Sequence, residues 1–216
     1  MSEQKHVIEI RQPVTPADIE QTQIARNEAW GAGSLNFSNE QTSNKELIKN
    51  GAIFLTAFVE GKGAGTVICT RLNYDLKNPV RTWLEISDDG RGGNHIPDGE
   101  SLYVLSLGVS PKYRGSGIGA QLMYKVQELA IKLNCKQVAL GCRVPDYHKY
   151  AQIPMEQYIH LKRADGEFLD KEMRFYARAG MRFLGPLPEY MSGSRADPES
   201  LNYGVLTVWS NPFYVK

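Results

Sequence analysis

One stretch, Leu107-Gly-Val-Ser-Pro-Lys-Tyr-Arg-Gly-Ser-Gly-Ile-Gly119, narrows the folds open to this chain more than any other. The apolar run 102–109 reads as a buried strand, and Pro111 blocks its continuation. Beyond it, Ile118, Leu122, Val126, Leu129, Ala130 and Leu133 recur at helical spacing and predict a helix over 117–133. Amides at a helix N-terminus lack intrahelical partners and carry the positive end of the macrodipole. Glycines at 115, 117 and 119 leave no Cβ in the way, so the turn suits phosphate or pyrophosphate. The plainer alternative is a tight turn that only lets helix and strand pack. Arg114 and the strand-to-helix context favour the anion. A dinucleotide fold would need a carboxylate at the tip of the next strand, which instead ends Gly141-Cys142-Arg143. A Walker loop is absent.

Around this unit the order is mixed. Residues 6–10 read as a first strand, and 16–30 as a helix with Thr15 as N-cap. A short helix at 44–50 closes at Gly51, and 52–59 with 64–72 form a hairpin across Glu60-Gly61-Lys62-Gly63. Residues 82–86 are read as a strand, 87–100 as a loop and 137–142 as a short buried strand. The segment 143–169 is too long for a plain loop and should hold a helix around 155–162. A helix over 170–179 ends at Gly180, and strands at 181–184 and 203–209 close the chain. On the central strand Leu105, Leu107 and Val109 are assigned to one face and Ser106 to the other. A single domain over 1–216 is expected.

Composition limits the partners. With 25 Lys and Arg against 24 Asp and Glu, the net charge of +1 gives no long-range pull on nucleic acid. No run approaches ~18 apolar residues and the N-terminus carries no apolar leader, so a cytoplasmic protein without a membrane partner is expected. Cys69, Cys135 and Cys142 lack C-x-x-C spacing and read as reduced, buried thiols. His6, His95, His148 and His160 lack ligand spacing, so no metal is expected.

Arg114-x-x-Gly117-x-Gly119 after Val109-x-Pro111 resembles the acyl-CoA loop of the GNAT N-acetyltransferase superfamily. The resemblance runs from about Val7 to Trp209, and Phe175-Tyr176-Ala-Arg-Ala-Gly180-Met181 looks like that family's late helix. Gly141-x-Arg143-x-Pro145-x-Tyr147, Glu199-Ser200-x-x-Tyr203-Gly-Val205 and Trp209-x-Asn211-Pro212 resemble a subgroup that includes GNAT domains fused to carbon–nitrogen hydrolases. The implied fold is α/β (α+β), a mixed, mostly antiparallel central sheet splayed at the acyl-CoA site and flanked by helices.

The implied activity is acetyl transfer from acetyl-CoA, as co-substrate, to a primary amine by direct attack in a ternary complex. A non-catalytic acyl-CoA-binding module of the same fold is the alternative. By resemblance, the loop Gly115, Ser116, Gly117, Ile118, Gly119 and Ala120 would hold the pyrophosphate, with Arg114 flanking it. Leu107 and Val109 would offer main-chain groups to the acetyl carbonyl and the pantetheine arm. Tyr176 is the candidate general acid, although Leu169 and Glu172 stand where the family often has Asn and Ala. Tyr103 occupies the position of some relatives' basic glutamate, with Glu100 and His95 as nearby alternatives and a water relay as a replacement for all three. Arg143 and Tyr147, with His148, are placed on the acceptor side, where they would bind an acidic group; a solvated turn is the alternative. Trp30, Phe37 and Trp83 read as core or acceptor-pocket walls, and the aromatics of 209–214 as a strand cap or a homodimer surface. The acceptor is a small-molecule amine or a peptide. Seven basic and two acidic residues in 110–150 suit a polyanionic cofactor, and five acids with one Arg in 85–100 suit a cationic acceptor.

Overall fold

The computed structural model describes residues 7–30, 44–79 and 82–216; Phe37 and His6 lie outside them. The chain opens with β1 (Ile8–Arg11) and α1 (Pro16–Trp30). A reciprocal cap starts α1, as foreseen at Thr15: the Asp18 amide donates to the Thr15 hydroxyl, and the Asp18 carboxylate accepts from the Thr15 amide. There follow α2 (Asn44–Lys49), β2 (Ile53–Val59), β3 (Lys62–Leu72), α3 (Trp83–Ser87), β4 (Ser101–Val109) and α4 (Ile118–Lys132). The chain then forms β5 (Gln137–Arg143), α5 (Met155–Tyr158), α6 (Lys171–Arg178), β6 (Arg182–Leu187) and β7 (Gly204–Ser210).

The seven strands form one sheet in the order β1-β2-β3-β4-β5-β7-β6. Every neighbouring pair is antiparallel except β4 and β5, which run parallel. That exception positions the site. The two strands pair only from Ser101 to Tyr103 against Gln137 to Ala139, while β4 continues to Val109 and β5 to Arg143. Beyond Tyr103 they diverge, and the sheet opens into a wedge.

Two sequence expectations are corrected here. Residues 82–86 are not a strand: α3 begins at Trp83, with the Thr82 hydroxyl accepting from the Glu85 amide. Thr-x-x-Glu is a capping-box pattern, and the cap outweighs the apolar run that suggested a strand. The central strand also changes face midway. Against β3, Ile68 pairs with Ser106 and Cys69 with Val104, so Leu105 is an extra, bulged residue. A one-residue insertion reverses the alternation. Tyr103 and Leu105 therefore pack on one face, whereas Leu102, Val104, Leu107 and Val109 pack on the other. The α4 residues Ile118, Leu122, Met123, Val126 and Ala130 cover the second face, and Leu47, Trp83 and Ile86 cover the first. All three cysteines are free and buried. Among the described residues no helix is long and apolar enough to cross a membrane.

Candidate active site

The wedge between β4 and β5 is the heart of a cleft of about 1100 Å³. Its walls are Val104 to Val109 of β4, Leu140, Gly141 and Arg143 of β5, and Glu172, Phe175 and Tyr176 of α6. Because β5 has turned away, the β5-facing edge of β4 beyond Tyr103 has no strand partner among the described residues. Trp30 and Trp83 also line the cleft and brace the bulge. The Trp83 indole donates to the Leu105 carbonyl at 2.8 Å, and the Trp30 indole to the Ser106 hydroxyl at 3.2 Å.

At one end of the cleft lies the glycine turn. Gly115 and Gly117 have φ of +82° and +84°, the left-handed region that penalises any Cβ. Gly117 is the N-cap of α4 and supplies no side-chain cap, so the first-turn amides of Ile118, Gly119 and Ala120 have no capping acceptor among the described residues. A Cβ at Gly115 would meet nothing within 4 Å, leaving the approach open. The turn therefore fits a phosphate or pyrophosphate. Gly119 is glycine for another reason: its Cβ would stand 3.2 Å from the Phe175 ring. Ser116 turns back, its hydroxyl donating to the Tyr113 carbonyl at 2.6 Å. Arg114 braces the turn from behind, donating to the carbonyls of Val109 at 3.1 Å and Ala29 at 2.8 Å. That engages the Val109 carbonyl, one of the main-chain groups at Leu107 and Val109 expected to serve the acetyl carbonyl and the pantetheine arm.

Across the wedge stands α6. Asp170 starts it, its carboxylate accepting from the amides of Glu172 and Met173. Tyr176 sits on the cleft wall with 8% of its surface exposed, and no described residue hydrogen-bonds its hydroxyl. Burial, reinforced by Cys142 and Glu172, raises its pKa well above the usual phenol value and keeps the proton on. One turn earlier, burial pushes the Glu172 carboxyl up to about 7; Arg143 opposes the shift, and Asp170 and Asp197 add to it. Arg143 is already engaged. Its Nε and Nη2 donate to the two Asp197 oxygens at 2.6 and 2.7 Å, and Nη2 also reaches Glu199 at 3.3 Å. Glu172 is left with a looser contact, 3.7 Å from Nη1.

Several expected site residues lie elsewhere. Tyr103 is fully buried on the opposite face of β4, sharing a 2.9 Å hydrogen bond with the Tyr190 hydroxyl. Burial raises its pKa well above the phenol range, so it is not poised to take a proton. Glu100 precedes β4, about 25–30 Å of strand from Val109, where it pairs with Lys136. His95 contacts Thr70 and the Arg71 amide, outside the cleft. Tyr147 is buried, donates to the Ile153 carbonyl and stacks edge-on with Tyr203. His148 is tied to the carbonyls of Pro145 and Glu199. The acids of 85–100 do not line the cleft; Glu85, Asp88 and Asp89 border a separate depression.

Three residues acquire importance only here: Glu172, Asp197 and Tyr190. Tyr190 lies against Gly141 of β5 and Gly204 of β7, neither of which has room for a Cβ beneath its ring. Two glycines inside adjacent strands were the available signal, since such positions mark a close approach.

The model of the acetyltransferase (GNAT) family matches residues 19–151. The chain is 36% identical over 163 residues to the uncharacterized N-acetyltransferase YkwB of Bacillus subtilis (strain 168), covering 75% of this chain and 70% of that protein. It is 32% identical over 157 residues to the probable hydrolase YhcX of the same organism, covering 72% of this chain but 30% of that longer protein. In three dimensions it matches the loading GNATL domain of CurA from Lyngbya majuscula with a TM-score of 0.76 at 22% identity, covering 94% of this chain and 98% of that one. With the splayed strands and the uncapped glycine turn, these matches establish that the chain belongs to the GNAT acetyltransferase family.

Proposed function

We propose that this protein transfers an acetyl group from acetyl-CoA to a primary amine by direct attack within a ternary complex. The observation that carries this reading is the junction of three features in one cleft: the uncapped α4 N-terminus, the unpaired edge of β4 and the protonated phenol of Tyr176. The amides of Ile118, Gly119 and Ala120, with the open turn at Gly115 and Gly117, would hold the pyrophosphate. The free edge of β4 between Val104 and Val109 would guide the pantetheine arm by main-chain hydrogen bonds, as an added strand does. The acyl thioester supplies an activated carbonyl at the point where the strands part. Tyr176 holds a proton there and would deliver it to the departing thiolate; a thiol near ~8.5 needs only a weak, well-placed acid. Arg114 maintains the turn through its two carbonyl contacts.

Calorimetry with acetyl-CoA and release of free thiol across a panel of small amines and peptides test the reading. Binding together with amine-dependent thiol release is expected. Absence of acetyl-CoA binding overturns the pyrophosphate assignment. Binding without amine-dependent release overturns the transferase assignment and leaves an acyl-CoA-binding module.

A further inference from the structure

We infer that Glu172 is the group that takes the proton from the acceptor amine, so that base and acid stand on one face of α6. The inference rests on the acetyl-transfer reading above. Glu172 and Tyr176 are four residues apart, which on a helix makes them neighbours, and both line the cleft opposite the free edge of β4.

The other acidic groups in the cleft, and the phenol of Tyr190, are engaged or poorly suited. Asp197 is buried and held by two short bonds from Arg143; burial would raise its pKa, but the Arg143 hydrogen bonds keep it below the usual carboxylate range. Glu199 stands at the rim, its carboxylate held by Arg143 Nη2. Tyr190 is bonded to Tyr103, and burial raises its pKa beyond the phenol range. Glu172 differs: it lines the cleft with about a third of its side chain (31%) exposed, and no described residue hydrogen-bonds its carboxylate.

The groups facing it come from three elements. Arg143 and Cys142 approach from β5, Asp170, Lys171 and Tyr176 from α6 and its cap, Asp197 from the turn after β6, and Glu199 through its bond to Arg143. Arg143 would keep such a carboxylate permanently ionised were it not occupied by Asp197. A carboxylate with a proton affinity near neutral is suited to accept an amine proton and return it to solvent.

In the step, the ammonium gives one proton to Glu172, which releases it to solvent. The nitrogen lone pair then forms the N–C bond, and the C–S bond breaks with its electron pair on sulfur. The sulfur takes the Tyr176 proton, and the second proton shed from nitrogen returns the resulting phenolate to phenol. Ammonium plus thioester thus yield amide, thiol and one proton.

The test compares wild type, Glu172→Gln and Glu172→Asp in three readouts: kcat/KM against pH, acetyl-CoA affinity, and carboxyl titration by infrared difference spectroscopy. Wild type should show a kcat/KM limb rising through pH about 7 and a carboxyl that titrates there. Glu172→Gln should lose both, with kcat/KM down about 100- to 10,000-fold and acetyl-CoA affinity within about threefold. Glu172→Asp should retain a shifted limb with partial activity. A limb that survives in Glu172→Gln, or a uniform loss at all pH values with the limb intact, overturns the role of Glu172 while leaving the transferase reading standing. Wild type that binds acetyl-CoA but transfers to no amine overturns both, even where the carboxyl titrates near 7.

Discussion

Arg143, the last residue of β5, grips both carboxylate oxygens of Asp197, with Nε at 2.6 Å and Nη2 at 2.7 Å. The pair fastens the diverging end of β5 to the turn before β7, and thereby sets one wall of the wedge. Asp197 is nearly buried (5% of its side chain is exposed), and Arg143 retains Glu199 as a second partner. Asp197→Ala should therefore cost about 1–3 kcal/mol in urea unfolding at pH 7. Folding lowers the Asp197 pKa below its reference of 3.8, so this contribution is present above about pH 4 and fades as pH falls through the lowered value. A deficit of equal size at pH 7 and at low pH would contradict the ion-pair account.

Tyr176→Phe removes the acid but keeps the ring against Phe175, whose centroid lies 4.9 Å away. Steady-state kinetics should show kcat lowered roughly 10- to 1000-fold, with acetyl-CoA affinity nearly unchanged. Unchanged kcat would remove Tyr176 from proton delivery.

Gly117→Glu places a side chain at φ +84° and a negative charge at the mouth of the α4 N-terminus. Acetyl-CoA binding should fall below calorimetric detection while the far-ultraviolet dichroism stays that of the wild type. Retained binding would mean that the anion is held elsewhere.

Gly141→Ala presses a methyl group into the Tyr190 ring, which also rests on Gly204. The expected loss is about 1–3 kcal/mol or more, since the ring already sits against both glycines and has no room to yield toward the sheet. Tyr190→Leu in the same background should recover part of it. An additive double-mutant cycle would show that the ring and Gly141 do not interact.

Glu172 gives the opposite sign of pH dependence to Asp197. Its pKa rises from 4.5 unfolded to about 7 folded, so the folded state binds the extra proton between these values. Stability then falls as pH rises from 4.5 to 7, and the cost of the buried charge persists above. Glu172→Gln should stabilise the protein by about 1–2 kcal/mol at pH 8 and by little at pH 4, with the opening to the cleft keeping the effect below the full shift. A variant that is less stable than wild type at pH 8 would contradict this.

Where a signal was local, the fold could be read in advance. The Thr15 cap of α1, the hairpin of β2 and β3 and the strand-turn-helix of β4 and α4 each stand where residue types and spacing place them. Trp83 was legible as a pocket wall but not as the start of a helix, because five residues with three apolar among them fit either element. The bulge at Leu105 has no signature in its own residues; it reversed the face of Leu105 relative to Leu107 and Val109. Tyr103 was a candidate base because of its place along the strand, and the side of the sheet it faces made it core.

The sequence by itself determined the open glycine turn, since left-handed glycines before an amphipathic helix act through backbone chemistry that needs no distant partner. It also marked Tyr176, through the pattern of one short helix. Which charges surround that tyrosine was decided only in three dimensions. Arg143 and Asp197 are 54 residues apart, and the pairing of β5 with β7, which sets Arg143 opposite Gly204, brings them together. Their pairing leaves Glu172 without a firm counter-ion in a low-dielectric wall, and the proton affinity of a carboxylate is set by such neighbours rather than by its place in the chain.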